Sequence, residues 1–413
     1  LDLLIWILCN RNIKFCIRFV KYGSKFMYVI IWIDINIHFN TMEIILNNQY
    51  NVWNKWDKLK TVLLGDTYRP EFYKDIKNIK IRDALIKISE ESLKDLENYE
   101  KVLKEFGCEI LRPYIDPNDN IMNYVNDGKL NHVPRAPLQP RDAQMVLGNN
   151  IYYTTSEKPF EDVLDQYNNV NKIDLRFDDE RQMHRHSPSS DNVIHAPSYT
   201  LVGKDLYIDL KDRPIEDWQL DLLEKNIPNV RINYLHHGGH SDGAFHTIKN
   251  GALLTIAEIQ KYPKTFPEWD IHFLGRENLK IEKFINFKER VKGKWWVPGE
   301  ENNKEFTDFV ETWLKDWVGY IEESVFDVNV LVLDEHNVCV SSITPAVVEF
   351  LKKHKMEPIL IPWKHRYFWD GGLHCLTLDL YRESKQQDYF PNRKGSIIDY
   401  GYDQYGRPYE MGV

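Results

Sequence analysis

Three separated segments of the 413-residue chain carry side chains suited to covalent chemistry on a cation. The first, FWDGGLHCLTLDLYRE at 368–383, sets Cys375 after the turn Asp370-Gly371-Gly372, at the entrance to an apolar, alternating strand. A thiol at such a junction is expected at a rim, exposed for attack and held by a rigid element. Taken alone, a cysteine in a strand is more often a buried, inert residue. The second segment, YLHHGGHSDGAFHTI at 234–248, holds His236, His237, His240 and His246 together with Asp242. Read as extended chain, it projects His240 and Asp242 from one face, a proton carrier beside a carboxylate. Four clustered histidines could also bind a metal. The segment has neither the HExxH arrangement nor a nearby cysteine, so no metal is assigned. The third segment, QPRDAQMVLGNN at 139–150, places Arg141 and Asp142 at a strand mouth. An aspartate there caps a turn or binds a planar cation through two parallel hydrogen bonds.

These segments must be positioned by something, and the chain repeats one local pattern. Apolar strand, tight turn and apolar strand recur at 144–154, 200–210, 245–256 and 328–340, with turns GNN, GKD, KNG and DEHN. Such turns tolerate positive φ or local side-chain bonds, so each stretch is expected to be a β-hairpin. An amphipathic helix and a short strand follow. Residues 82–106 space Leu85, Ile88, Leu93, Leu96, Tyr99, Leu103 and Phe106 along one helical face, and CEILRP reads as the next strand. IEDWQLDLLEKNIP with NVRINYL, and PAVVEFLKKHKM with EPILIPW, repeat the arrangement. The strands are short and no glycine-rich phosphate loop opens a helix, which argues against a doubly wound fold. Repeats that cannot bury their own faces pack on their neighbours. The expected fold is α/β, one propeller-like domain whose hairpin edges converge on an axis. Polar insertions are expected at 155–195 and 284–306.

Composition narrows the partners. The net charge of −9 and the lack of a basic stripe with interleaved aromatics argue against nucleic acid. Five cysteines without a framework or a CxxC indicate a reduced, cytoplasmic setting. Residues 1–41 look foreign to the rest. Their apolar runs, LLIWILC and FMYVIIWI, fall short of the roughly 20 residues that cross a bilayer. Met42 is the expected start, with 1–41 a non-domain extension and 42–413 a single catalytic domain. A genuine membrane-associating or targeting extension is the alternative for 1–41.

GGLHCLTLDLYR, GHSDGAF and PRD occur in the order Asp142, His240 and Asp242, Cys375. The chain thereby resembles the guanidino-group-modifying enzymes, particularly the glycine and inosamine amidinotransferases. NVWNKWDKLKTVLLG and VNVLVLDEHNV resemble further strands of that family, so the likeness spans about 50–385. It implies a fivefold pseudosymmetric α/β propeller and no cofactor. It implies Cys375 as nucleophile and His240 as general acid/base. Asp142 and Asp242 become the guanidinium-binding carboxylates, with Arg141 also assigned to substrate binding and Asn329 near the site. Where the family carries the histidine's aspartate partner, this chain has Ser198. A serine pair used near the acceptor aligns with Glu322-Glu323, which suits a cationic acceptor. The implied partners are a small guanidino donor and an amine acceptor, without nucleic acid or membrane; a homodimer is the candidate assembly. Transfer of an amidino group is the expected reaction. Hydrolysis with water as acceptor, by a deiminase or dihydrolase, and a non-catalytic binding module on the same fold are the alternatives.

Overall fold

The computed structural model describes residues 4–9, 13–22, 25–30 and 49–400, apart from 127–128, 131–132, 167–170, 177–195, 211–214, 237–239, 257–261, 275–296, 298, 301, 315–316 and 319–322. Two compact units result, Leu1–Asn48 and Gln49–Val413. In the first, β1 (Leu4–Cys9), β2 (Ile13–Tyr22) and β3 (Lys25–Ile30) form an antiparallel sheet in that order.

In the second unit the chain first lays down β4 (Leu59–Leu64), the 27-residue helix Ile79–Glu105, β5 (Glu109–Leu111) and the short ribbon β6 (Val125–Asn126) and β7 (Lys129–Leu130). The Asn78 side chain caps the helix by accepting from the Lys80 N–H at 3.0 Å. Its buried face carries Leu85, Ile88, Leu96, Tyr99 and Leu103, as the spacing predicts.

The repeat follows. Strands β8 (Gln144–Leu147) and β9 (Asn150–Tyr153) make an antiparallel hairpin; after the helix Lys158–Leu164, β10 (Asn171–Asp174) pairs parallel to β9. The same order recurs in β11 (Tyr199–Val202), β12 (Asp205–Asp209), the helix Asp217–Asn226 and β13 (Arg231–His236). It recurs again in β14 (Phe245–Lys249), β15 (Ala252–Thr255), the short helix Tyr262–Thr265 and β16 (Asp270–Phe273). A fourth copy is β17 (Leu331–Val332), β18 (Asn337–Val340), the helix Pro345–Lys353 and β19 (Glu357–Leu360). The fifth is split: β20 (Thr377–Arg382), late in the chain, pairs antiparallel with β4, which pairs parallel with β5. Strand β21 (Ile398–Tyr400) adds to the sheet of β11–β13.

All four expected hairpins are present. Three turn on a glycine at positive φ, Gly148, Gly203 and Gly251, where a side chain would be strained. The fourth turns on Asp334, whose Oδ1 accepts from the N–H groups of His336 and Asn337 at 2.8 and 2.9 Å. Within 155–195 the described residues include two regular elements that the polarity did not suggest. KPFEDVL is a helix with Phe160, Val163 and Leu164 buried, and NKID is a strand. The run DDERQMHRHSPSSDN lies outside the described residues but for its neighbours, and most of the 284–306 insertion lies outside them too. Among the described residues, no helix is long and apolar enough to cross a membrane.

Candidate active site

One position in the repeat supplies most of the candidate chemistry. Asp142 precedes β8, Ser198 precedes β11, Asp242 precedes β14, Asn329 precedes β17 and Cys375 precedes β20. Each is one to three residues ahead of the first strand of its unit, at the mouth of a sheet.

The segment that carries Cys375 is pinned before it reaches that residue. The short helix Arg366–Trp369 ends at Asp370, which takes the left-handed conformation (φ 54°, ψ 47°). The Gln139 side chain donates to the carbonyls of Trp369 and Asp370 at 2.7 and 3.1 Å. Trp363 Nε1 donates to the Gly371 carbonyl at 3.0 Å. Gly372 is needed for close approach: a Cβ there would stand 2.6 Å from Asn329 Oδ1 and 2.8 Å from Asn329 Cβ.

Asn329 organises the centre. Its Oδ1 accepts from the backbone N–H groups of His374 and Cys375 at 2.9 and 3.1 Å, and its Nδ2 donates to Cys375 Sγ at 3.0 Å. The same Nδ2 lies 3.3 Å from the Asp242 carbonyl. The Cys375 thiol in turn sits 3.5 Å from Asp242 Oδ2, and that oxygen accepts from His374 Nδ1 at 2.9 Å. Asp242 Oδ1 is buried and has no hydrogen-bond partner. A cavity beside Asp242 is lined by Lys55, Arg141 and Asp379 among others.

Charge and burial set the resting state. Burial pushes the Cys375 thiol well above its ordinary value, and the carboxylates of Asp242 and Asp142 add to the rise; the Gly372 backbone and Asn329 oppose it. Resting Cys375 is a thiol. A cation placed between the two carboxylates removes the charge that suppresses the thiolate. Burial likewise holds His374 and His246 neutral, and it brings Lys55 down to about 8. Burial first, then Asp142, lifts Glu157 to about 7. Burial raises Asp370 too, with Arg135 and His240 opposing and Asp142 reinforcing. Burial favours a protonated Asp379, yet Arg382 and Arg141 hold it at about 2.

Several expectations change. Cys375 was expected exposed at a rim, but it is only 8% exposed because the turn tucks it under Asn329. Strand β20 is not alternating; five of its six residues are buried. The extended strand expected to carry His240 and Asp242 is replaced by a short helical turn. His240 is the extended residue that caps the helical turn Ser241–Ala244, with the Gly243 N–H returning to its carbonyl at 3.1 Å, so the chain is not extended from 240 to 242. His240 is exposed and Asp242 buried. Arg141 is not free for substrate. Its Nε donates to the carbonyls of His374 and Thr377 at 3.1 and 2.9 Å, and Nη2 donates to Asp379 Oδ1 at 2.8 Å. It braces the start of β20, because the turn Pro140–Asp142 sends adjacent side chains apart. Asp142 instead lies 3.6 Å from Arg135. Ser198 is buried, and its carbonyl accepts from Ser241 Oγ at 3.1 Å, next to His240. His237 and Glu322 lie outside the described residues.

The sequence reading missed His374, Lys55, Arg135 and Asp370. His374 and Asp370 lie inside the DGGLHC segment itself, and polar residues flanking a candidate nucleophile were the available signal. Lys55 and Arg135 had none.

No family model matches the chain. The chain is 20% identical over 394 residues to the L-arginine:L-lysine amidinotransferase of Pseudomonas savastanoi pv. phaseolicola, covering 82% of this chain and 95% of that protein. Its fold is similar to that of SxtG, an amidinotransferase from Microseira wollei in the saxitoxin biosynthetic pathway, with a TM-score of 0.55, 17% identity, and 83% and 99% of the two chains covered. It is also similar to the inosamine-phosphate amidinotransferase StrB1 from Streptomyces griseus, with a TM-score of 0.54, 16% identity, and 82% and 99% covered. The chain thus shares its α/β fold with two amidinotransferases of known structure and is similar in sequence to a third.

Proposed function

We propose that the chain transfers an amidino group from a guanidino donor, arginine-like, to an amine acceptor through a covalent intermediate on Cys375. The observation that carries this reading is the buried contact of Cys375 Sγ with Asp242, whose second oxygen has no protein partner. A guanidinium supplies the missing N–H donors and brings its carbon to the thiol. Asp142, the second carboxylate that acts on the thiol, holds the other side of the cation.

With the cation bound, the thiol gives up its proton to His240 and the thiolate adds to the guanidinium carbon. The carbon–nitrogen bond to the donor's amine breaks, His240 returns a proton to the leaving nitrogen, and an amidino group remains on sulfur. The acceptor amine then attacks the same carbon, His240 takes its proton, and the carbon–sulfur bond breaks to release a new guanidino compound and the thiol. Asn329 steadies the sulfur throughout, since its Nδ2 donates to Sγ.

We read the five sheets as blades closing around an axis, a fivefold α/β propeller. The pairing of β4 with β20 joins the two ends of the repeat, and the candidate residues occupy one equivalent position per unit. The catalytic domain is assigned to 42–413, with the contact boundary at Asn48 and Gln49, and residues 1–41 to an extension outside it. The setting is cytoplasmic, the substrates diffusible, and a homodimer is the candidate assembly.

The test supplies arginine with a panel of amines and analyses the small-molecule products by mass spectrometry. New guanidino compounds that carry the donor's amidino carbon support transfer. Ureido products or free urea in their place, with every amine, would show hydrolysis.

A further inference from the structure

We infer that His374 is a positioning residue that aims the Asp242 carboxylate without cancelling its charge. The inference rests on the reading of Asp242 as a guanidinium-binding group.

The residue beside the nucleophile is fixed on every side. Its backbone N–H donates to Asn329 Oδ1 at 2.9 Å, and its carbonyl accepts from Arg141 Nε at 3.1 Å and Thr377 Oγ1 at 3.0 Å. Its ring stands edge-on to His246, with centroids 4.6 Å apart and planes at 88°. Held this way, Nδ1 meets Asp242 Oδ2 at 2.9 Å, with both side chains about 1% exposed. One turn therefore delivers both the thiol and the group that aims the carboxylate.

The choice of an imidazole has a physical consequence. An arginine or lysine at this place would pair with Asp242 and neutralise it. Burial above all, with Arg141 and then His246, Lys55 and Arg382 adding to it, keeps His374 neutral. A neutral ring opposite a carboxylate donates its single proton from Nδ1, which fixes the tautomer and leaves Nε2 as an acceptor without a partner. Asp242 keeps its whole charge and one open oxygen, and its direction is set. A carboxylate positioned but not neutralised is what a cation requires.

The experiment separates this role from a structural one. Equilibrium binding of arginine is measured by calorimetry in a Cys375→Ala background, where no turnover occurs. His374→Asn keeps a donor near the place of Nδ1, His374→Gln moves the same amide toward the place of Nε2, and His374→Phe keeps the ring without a donor. Melting temperatures are recorded for each. The expected result is affinity near that of the parent for Asn and a loss of about tenfold or more for Gln and Phe. Equal affinity in Asn and Gln, or a Phe variant that binds like the parent, overturns the inference while leaving the site's function standing. A parent that binds no guanidino compound overturns both together.

Discussion

Asn329 holds Cys375 at two points, with its Nδ2 donating to Sγ at 3.0 Å and its Oδ1 accepting from the Cys375 N–H at 3.1 Å. The amide also accepts from His374 and lies close enough to Gly372 that no Cβ fits between them. Asn329 and the turn that carries Cys375 come from different units of the repeat, so this contact joins two sheets at the Cys375 sulfur.

Gly372→Ala tests that contact. The added methyl meets the Asn329 side chain at 2.6–2.9 Å, so the side chain must leave and two backbone N–H groups lose their acceptor. The expected cost is about 1–3 kcal/mol of stability with a large fall in turnover, read from urea denaturation and kcat/KM. An alanine variant as stable and active as the parent would mean that the turn relaxes without Asn329.

Asp242→Asn should move two properties in opposite directions. Removing a negative charge beside the thiol lowers its pKa, so Cys375 reacts faster with iodoacetamide at neutral pH. Losing charge-assisted hydrogen bonds to a guanidinium weakens binding by roughly tenfold to a hundredfold. Slower alkylation would contradict the electrostatic account of the resting thiol. In the parent, burial lifts Cys108 to about 11 and also raises Cys339, so slow labelling of Cys375 does not mark it as inert.

Lys55 gives a pH-dependent stability. Burial brings it to about 8 in the folded protein, below its ordinary 10.5, so the unfolded chain binds the extra proton between these values. Stability from this group is absent below about pH 8 and returns as pH rises toward 10.5. Lys55→Met should therefore gain stability relative to the parent by about 3 kcal/mol more at pH 7 than near pH 10. A difference between the two proteins that is flat across this range would place a compensated, fully charged lysine in the core.

Ser198 is buried one residue before β11. Its carbonyl holds Ser241, the neighbour of His240. In Ser198→Asp the new negative charge favours the protonated imidazole, so the acidic limb of the kcat/KM profile should shift to higher pH. A profile that overlays the parent's would show that the 198 side chain does not act on His240.

The repeat was legible in the sequence because its signals are local. Turn residues at fixed offsets and apolar periodicity mark each hairpin and helix, and they mark the split fifth unit less well, since β4 and β20 are paired only by the fold. The strand Asn171–Asp174 was not legible: it buries one residue, Ile173, and owes its form to parallel pairing with β9. At the site, residue types were legible and directions were not. A helical turn stands in place of extended chain after His240, leaving His240 exposed and Asp242 buried. Arg141 found its partners, His374, Thr377 and Asp379, in a segment that is remote in sequence. Nothing near Arg141 in the chain announces that.

A covalent amidino group on Cys375 is read directly by mass spectrometry of the intact protein and its peptides after mixing with arginine in the absence of acceptor. The expected result is an amidino adduct confined to the peptide containing Cys375, absent in Cys375→Ala and discharged by an added amine with release of a new guanidino product. Turnover that proceeds with no adduct at any time point, or an adduct on Cys108 or Cys339 with Cys375 unmodified, would contradict the account.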